Sequence, residues 1–118
     1  MRMSAAEYRA GSAKPAKPRK YRNQPTMVDG IRFASKKEAR MYVYLKALER
    51  EGEIVDLRLQ PRYPLAVNGL HICTYVPDFD YFAGDRIVSE DVKGVKTPEF
   101  ILKAKLFHAI YEREVQIV

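Results

Sequence analysis

Residues 76–94 read VPDFDYFAGDRIVSEDVKG and contain parts of two predicted strands joined by a turn. The first strand is predicted over residues 71–82, which are rich in β-branched and aromatic side chains, and the second over residues 86–93. Ala83-Gly84-Asp85 supplies typical turn residues between them. We therefore expect an antiparallel pair of strands that carries acidic residues within otherwise apolar sequence.

A helical pattern precedes these strands. Residues 36–51 contain neither glycine nor proline and predict the first helix. Ser35 is a typical N-cap residue, and Gly52 is a typical residue at a helix end. The apolar residues at helical spacing, which are expected to face the sheet, are Met41, Tyr42, Leu45 and Leu48.

The remaining elements complete a mixed α/β pattern. A second helix is predicted over residues 100–112, after the N-cap and first-turn residues Thr97-Pro98. Strands are predicted over residues 54–60 and 115–118, and Asn68-Gly69 predicts a hairpin whose second strand is the one over 71–82. The predicted order is helix, three antiparallel strands, helix, and a last strand parallel to the third. This order predicts an α/β fold with a central mixed sheet flanked by helices.

The net charge of +6 comes from one end of the chain. Residues 1–28 hold seven basic residues and one glutamate, so the rest of the chain is balanced. The same segment has few large aliphatic residues, which predicts a disordered basic arm over 1–27 and one folded domain over 28–118. Such an arm suits phosphate contact with nucleic acid, although a merely solvated tail has the same composition.

Composition also excludes several classes of protein. No apolar run approaches the ~20 residues that a membrane span needs. The first residues lack the apolar core of a secretory signal. The single cysteine, Cys73, cannot form an internal disulfide. We therefore expect a cytoplasmic protein without a membrane partner, in which Cys73 is a buried structural thiol.

Four charged residues interrupt the apolar patterns. Glu38 lies on the apolar stripe of the first helix, and Asp78 lies within a predicted strand. Asp91 and Lys93 share one face of the next strand, within reach of Asp78. The simple alternatives are a capping-box role for Glu38 with Ser35 and a solvated Asp91–Lys93 ion pair. Gathered in one place, Asp78 and Asp91 would be ligands for Mg²⁺ or Mn²⁺, and Glu38 would bind the metal directly or through water. Lys93 would orient water or neutralise charge.

These residues occur in a recognisable pattern. Val76-Pro77-Asp78-Phe79 followed by Glu90-Asp91-Val92-Lys93-Gly94 resembles the P-D…(D/E)-x-K motif of the PD-(D/E)XK nuclease superfamily. Ser35-Lys36-Lys37-Glu38-Ala39 is similar to that superfamily's helix-borne glutamate segment, and the predicted element order matches its αβββαβ restriction-endonuclease-like core. Residues 27–118 also resemble a family of small phage and prophage proteins, Holliday-junction resolvases and the endonuclease subunit of certain transposons.

The resemblance implies an endodeoxyribonuclease that depends on Mg²⁺ or Mn²⁺, with Glu38, Asp78, Asp91 and Lys93 as catalytic residues. Its implied role is on branched DNA in phage replication or recombination, as a homodimer because a four-way junction needs two cuts. A non-catalytic DNA-binding adaptor with the same fold and an RNA-directed nuclease are the alternatives. The residues expected to contact nucleic acid, unless they belong to solvated surfaces or strand ends, are Lys36, Lys37, Arg40, Gln60, Lys96 and Lys103.

Overall fold

The computed structural model describes residues 24–118, which form eight strands and two helices. The helices are Lys36–Arg50 (α1) and Pro98–Tyr111 (α2). The strands are Thr26–Val28 (β1), Ile31–Phe33 (β2), Val55–Leu59 (β3), Tyr63–Val67 (β4), Leu70–Tyr75 (β5), Phe79–Ala83 (β6), Arg86–Asp91 (β7) and Val115–Ile117 (β8). Of the predicted basic arm, residues 1–23 lie outside the described residues.

A four-stranded sheet in the order β3-β6-β7-β8 forms the centre of the fold. β6 is antiparallel to both β3 and β7, and β8 is parallel to β7. The crossover between these two parallel strands is α2, as the element order predicts. Residues 24–118 therefore form an α/β fold with a central mixed sheet and two helices.

The prediction of one continuous strand over residues 71–82 is wrong. The structure divides it into β5, which pairs with β4 in a separate two-stranded sheet, and β6, which joins the central sheet. Val76-Pro77-Asp78 separates β5 from β6. The strand is interrupted here because Pro77 has no N–H to donate to a strand ladder. The Asn68-Gly69 turn is present, with positive φ at both residues, but its hairpin stands apart from the sheet.

Helix α1 packs its apolar stripe against one side of the sheet. The Ser35 Oγ accepts a hydrogen bond from the Glu38 N–H at 3.1 Å, which confirms the predicted N-cap. Gly52 has a φ of +81° just after the helix, which confirms the predicted helix end. The buried residues of this core are Phe33, Ala39, Tyr42, Leu45, Ile54, Phe79, Tyr81 and Val88. The first turn of α1 is thereby fixed beside the strands.

A second core joins the β4–β5 hairpin to α2. Its buried residues are Leu65, Tyr75, Phe100 and Phe107. The ring of Phe107 lies 5.5 Å from that of Tyr75 and 5.0 Å from that of Tyr63, centroid to centroid. Cys73 packs against this core but is only half-buried, less than the sequence predicts. Neither of the helices described here is long and apolar enough to cross a membrane.

Candidate active site

Asp78 directly precedes β6, and Asp91 is the last residue of the neighbouring strand β7. The β6–β7 register pairs Phe79 with Glu90, and the Asp78 N–H donates to the Glu90 carbonyl at 3.0 Å. Asp78 therefore continues the ladder at the start of β6, next to Asp91 at the end of β7. This juxtaposition arises because the two strands are antiparallel and joined by a short turn.

The contact between the two carboxyl groups perturbs the titration of Asp78. Burial raises the pKa of Asp78 to about 7, and the hydrogen bond and charge of Asp91 act in the same direction. The backbone N–H of Val92, which donates to Asp78 Oδ2 at 2.8 Å, lowers that pKa. Two carboxylates this close repel each other unless a proton or a cation lies between them.

Each of these carboxylates has one oxygen held by a donor within the protein. The Val92 N–H holds Asp78 Oδ2, and the buried hydroxyl of Tyr75 donates to Asp91 Oδ2. Burial, followed by the hydrogen bond and charge of Asp91, raises the pKa of the Tyr75 phenol, so its hydroxyl keeps the proton that it donates. One oxygen of each carboxylate is thus fixed in direction, and the second oxygen of Asp91, Oδ1, faces the Lys93 ammonium.

Lys93 completes the centre of the site. Its Nζ lies 3.6 Å from Asp91 Oδ1 and 4.7 Å from the ring centroid of Phe100, a buried residue of the first turn of α2. The Asp91 side chain is 3% exposed, and β7 lies between β6 and β8. The alternative of a solvated ion pair on an edge strand is therefore wrong.

Glu38 approaches the same place from the first turn of α1. Burial raises the pKa of Glu38, the backbone N–H of Ala34 lowers it, and the Asp91 carboxylate raises it again. Glu38 in turn contributes to the raised pKa of Asp78. Within residues 24–118, no three His, Cys, Asp or Glu side chains form a ready-made metal centre. Glu38 acts on Asp78 through its charge, whereas Asp91 also makes a side-chain hydrogen bond to Asp78.

This donor set suits a hard cation. Mg²⁺ keeps several waters and is commonly bound through one or two carboxylates, which is what Asp78 and Asp91 offer. Both residues supply only oxygen, and the nearest cationic side chain, Lys93, adjoins Asp91. The raised pKa of Asp78 indicates that a positive charge beside it would be stabilising.

Two of the residues predicted to contact nucleic acid lie at the site. Gln60 lines a small pocket of about 90 Å³ together with Glu38 and Asp78, and its N–H donates to the Asp78 carbonyl at 2.9 Å. Lys103 lines an adjoining cleft of about 270 Å³ together with Lys93. Gln60 also has a φ of +51°, a left-handed conformation directly after the end of β3.

The other four predicted nucleic-acid contacts lie elsewhere. Lys36 and Arg40 line an apolar groove along α1 with Tyr44. Lys96 lines a cavity between α2 and β8, and Lys37 is an exposed residue in the first turn of α1. The structure does not bring Lys36, Arg40 or Lys96 into the pockets that Glu38, Asp78, Asp91 and Lys93 line.

Sequence reasoning missed two residues beside the site. Arg32, in β2, lines the same pocket as Glu38 and Asp78. It is a single arginine in a three-residue strand, which is too short for a periodicity signal. Tyr75 precedes the Val76-Pro77 pair in an apolar stretch, where a tyrosine normally indicates core packing. Only the fold reveals its contact with Asp91.

Asp80 shares the sheet face of Asp78 but belongs to a different network. Its Oδ2 accepts from the hydroxyl of Tyr63, and its Oδ1 accepts from Ser89 Oγ at 2.6 Å. Arg113 donates to Ser89 Oγ at 2.5 Å and to the Tyr63 hydroxyl at 2.8 Å. Both oxygens of Asp80 are thus engaged within the protein, which makes it a structural residue.

The perturbed carboxyl group predicts a pH-dependent stability. Because the pKa of Asp78 is about 7 in the fold and ~3.9 in an unfolded chain, the folded state binds more protons between these values. The metal-free protein should therefore lose stability as pH rises from about 4 to about 7. After a discount for partial exposure, Asp78 should account for on the order of 1–2 kcal/mol of that loss.

Asp78→Asn tests this prediction, because an amide keeps the acceptor for Val92 and removes the charge. Chemical denaturation in EDTA should show the variant more stable than the parent at pH 8 and less dependent on pH. Asp85→Asn, in an exposed turn, is the control and should change stability by less than about 0.5 kcal/mol. An Asp78→Asn protein with the full pH dependence of the parent would contradict the assignment.

The fold and the site define a class of protein. It is an α/β protein in which a half-buried Asp78, a buried Asp91 and a lysine lie where β6 begins and β7 ends. The chain belongs to the family described as "Protein of unknown function (DUF1064)", whose model matches residues 18–118. No curated protein and no solved structure matches the chain.

Proposed function

We propose that this protein is a divalent-metal-dependent endodeoxyribonuclease of the PD-(D/E)XK type. The observation that carries the proposal is the facing pair Asp78 and Asp91, each with one oxygen held by a protein donor, beside the ammonium of Lys93. Two adjoining carboxyl groups, one buried (Asp91) and one half-buried (Asp78), are costly without a compensating partner, because they repel each other and are partly removed from water. A bound cation is the partner that best accounts for them.

The topology supports the same proposal. With the hairpins β1–β2 and β4–β5 set aside, the remaining elements run α1, β3, β6, β7, α2, β8. This is the αβββαβ order that the resemblance implies for a restriction-endonuclease-like core, with β8 parallel to β7. Function rests on the site rather than on this order, since one fold serves many activities.

The side chains have complementary roles in the proposed reaction. Asp78 and Asp91 would hold Mg²⁺ or Mn²⁺, and Glu38 would bind the ion directly or through water. When bound, the ion would supply polarisation of the scissile phosphate and a water of lowered pKa. The Lys93 ammonium would neutralise negative charge that develops on the phosphate. Asp91 and the ring of Phe100 keep this ammonium at the site rather than in bulk solvent.

DNA is the proposed substrate because basic and polar side chains flank the carboxylates. Arg32 and Gln60 lie on the Asp78 side, and Lys103 lies on the Lys93 side. Such groups bind phosphates and set the position of the backbone at the site. The basic segment over residues 1–28 would add affinity that falls with salt. Branched DNA is the substrate shape that we propose to test first.

The proposal is tested by digestion of linear, nicked, flapped and four-way DNA with the full-length protein. We expect cleavage with Mg²⁺ or Mn²⁺ and none in EDTA. DNA that is bound in a salt-dependent manner but left intact with every metal would favour the adaptor alternative. Cleavage of matched RNA alone would identify an RNA-directed nuclease. Cleavage that persists in EDTA would contradict the metal-dependent mechanism.

A further inference from the structure

Tyr75 joins the β4–β5 hairpin to the carboxylate pair. It is the last residue of β5, is 3% exposed, and donates its hydroxyl hydrogen to Asp91 Oδ2. Its ring lies 5.5 Å from Phe107 and 6.3 Å from Phe100, centroid to centroid. The ring is therefore fixed from the α2 side, and the hydroxyl has one orientation toward the sheet.

We propose that Tyr75 is a positioning residue for cation binding, which orients the Asp91 carboxylate from the hairpin side. This inference rests on the proposed function. With Oδ2 held by the hydroxyl, rotation of the carboxylate is restricted and Oδ1 is directed to the side where Lys93 lies. Hydrogen bonds to a ligating carboxylate fix its orientation and typically change metal affinity by about 10- to 100-fold.

The β4–β5 hairpin brings two tyrosine hydroxyls to carboxylates of the central sheet. Tyr63 pairs with Tyr75 in the β4–β5 register, and the two hydroxyls donate to Asp80 and Asp91 respectively. Both carboxylates lie on the sheet face that the hairpin approaches. The two-stranded sheet thus supplies one tyrosine hydroxyl to each carboxylate, in addition to the Ser89 hydroxyl that β7 supplies to Asp80.

The other side of the sheet contains a matched control. There the hydroxyl of Tyr81 donates to Oε2 of the buried Glu90. Glu90 Oε1 has no hydrogen-bond partner in the part of the chain that the structure describes. Tyr81→Phe removes the same kind of bond from the neighbour of Asp91 in sequence, but Glu90 points away from the proposed site because adjacent strand residues alternate faces.

The experiment measures Mn²⁺ binding by calorimetry and by the loss of free-ion EPR signal, in the full chain without DNA. Tyr75→Phe keeps the ring packing and removes only the donor. We expect its Kd for Mn²⁺ to rise about 10- to 100-fold, whereas Tyr81→Phe should stay within about 2-fold of the parent while losing comparable stability. An unchanged Kd for Tyr75→Phe, or equal shifts in the two variants, would overturn the proposal.

A second variant allows the proposal to be tested if Tyr75→Phe does not fold. Tyr75→4-aminophenylalanine retains a weaker N–H donor and should bind Mn²⁺ with an affinity between those of the parent and Tyr75→Phe, or simply weaker than the parent if Tyr75→Phe cannot be measured. Binding as tight as the parent's would contradict the role of the hydroxyl. If the parent protein itself binds no Mn²⁺, both the proposed function and the Tyr75 proposal are contradicted. If the parent binds Mn²⁺ and cleaves DNA while the Tyr75 variants bind Mn²⁺ as tightly, only the Tyr75 proposal is contradicted.

Discussion

Asp91→Asn is expected to lower the rate of metal-dependent DNA cleavage by about 10³-fold or more. The amide retains an acceptor for the Tyr75 hydroxyl but presents no charged oxygen to a cation. Loss of one carboxylate ligand removes several kcal/mol of transition-state stabilisation, and ~4 kcal/mol corresponds to about 10³ in rate. Single-turnover digestion with saturating protein measures the effect, and Mn²⁺ titration should show weakened binding in the same variant.

The matched control for this variant is Asp80→Asn. Asp80 is also a buried aspartate on the same sheet face, but Tyr63 and Ser89 engage its two oxygens. The Asp80 variant should lose stability yet cut DNA within about 10-fold of the parent rate, since it offers no oxygen to a cation. Asp91→Asn protein that cleaves at the parental rate, or an equal loss in both variants, would count against the proposed site.

Phe107→Ala is expected to reduce the free energy of unfolding by about 3–5 kcal/mol. Phe107 is 0% exposed and contacts the rings of Tyr63, Tyr75 and Tyr111, so truncation opens a cavity at the centre of the second core. A domain of this size has only ~5–15 kcal/mol of stability, so the change is a large fraction of the total. Urea denaturation followed by far-UV circular dichroism measures it.

Leu102→Ala is the control for this second prediction. Leu102 lies in the same helix but is 59% exposed, so its removal should cost less than about 1 kcal/mol. Truncation of Phe107 should also weaken Mn²⁺ binding in protein that is still folded, because the Tyr75 ring loses a packing partner. A Phe107→Ala variant as stable as Leu102→Ala would show that the hairpin does not depend on α2.

Local sequence signals predicted most of the regular structure. The Ser35 N-cap, the apolar stripe of α1 and the Gly52 end act over a few residues, so their physical causes are contained in the sequence window itself. The same holds for Thr97 and Pro98 at the start of α2 and for the Asn68-Gly69 turn. These elements occur within about one or two residues of the predicted bounds.

Strand pairing was predicted less well because it depends on distant residues. The largely apolar segment from His71 to Phe82 contains no local signal that shows which of its parts pairs with which other strand. In the structure, Pro77 separates a hairpin strand from a central strand, and β3 pairs with the second part. The pairing partner of each part follows from the core in which that part packs. Tyr75, before Pro77, belongs to the core with α2, and Phe79, after it, belongs to the core with α1.

The sequence by itself determined which segments form helices and which form strands, because local periodicity and capping residues specify them. It also determined the order of the motifs that carry Glu38, Asp78, Asp91 and Lys93. Only the tertiary structure decided that the Val92 N–H and the Tyr75 hydroxyl each hold one oxygen of the predicted Asp78 and Asp91 pair. The partners in these contacts are 14 or 16 residues apart, as in Val92 with Asp78 and Tyr75 with Asp91. Contacts over such separations arise from packing of whole elements, which no short window of sequence specifies.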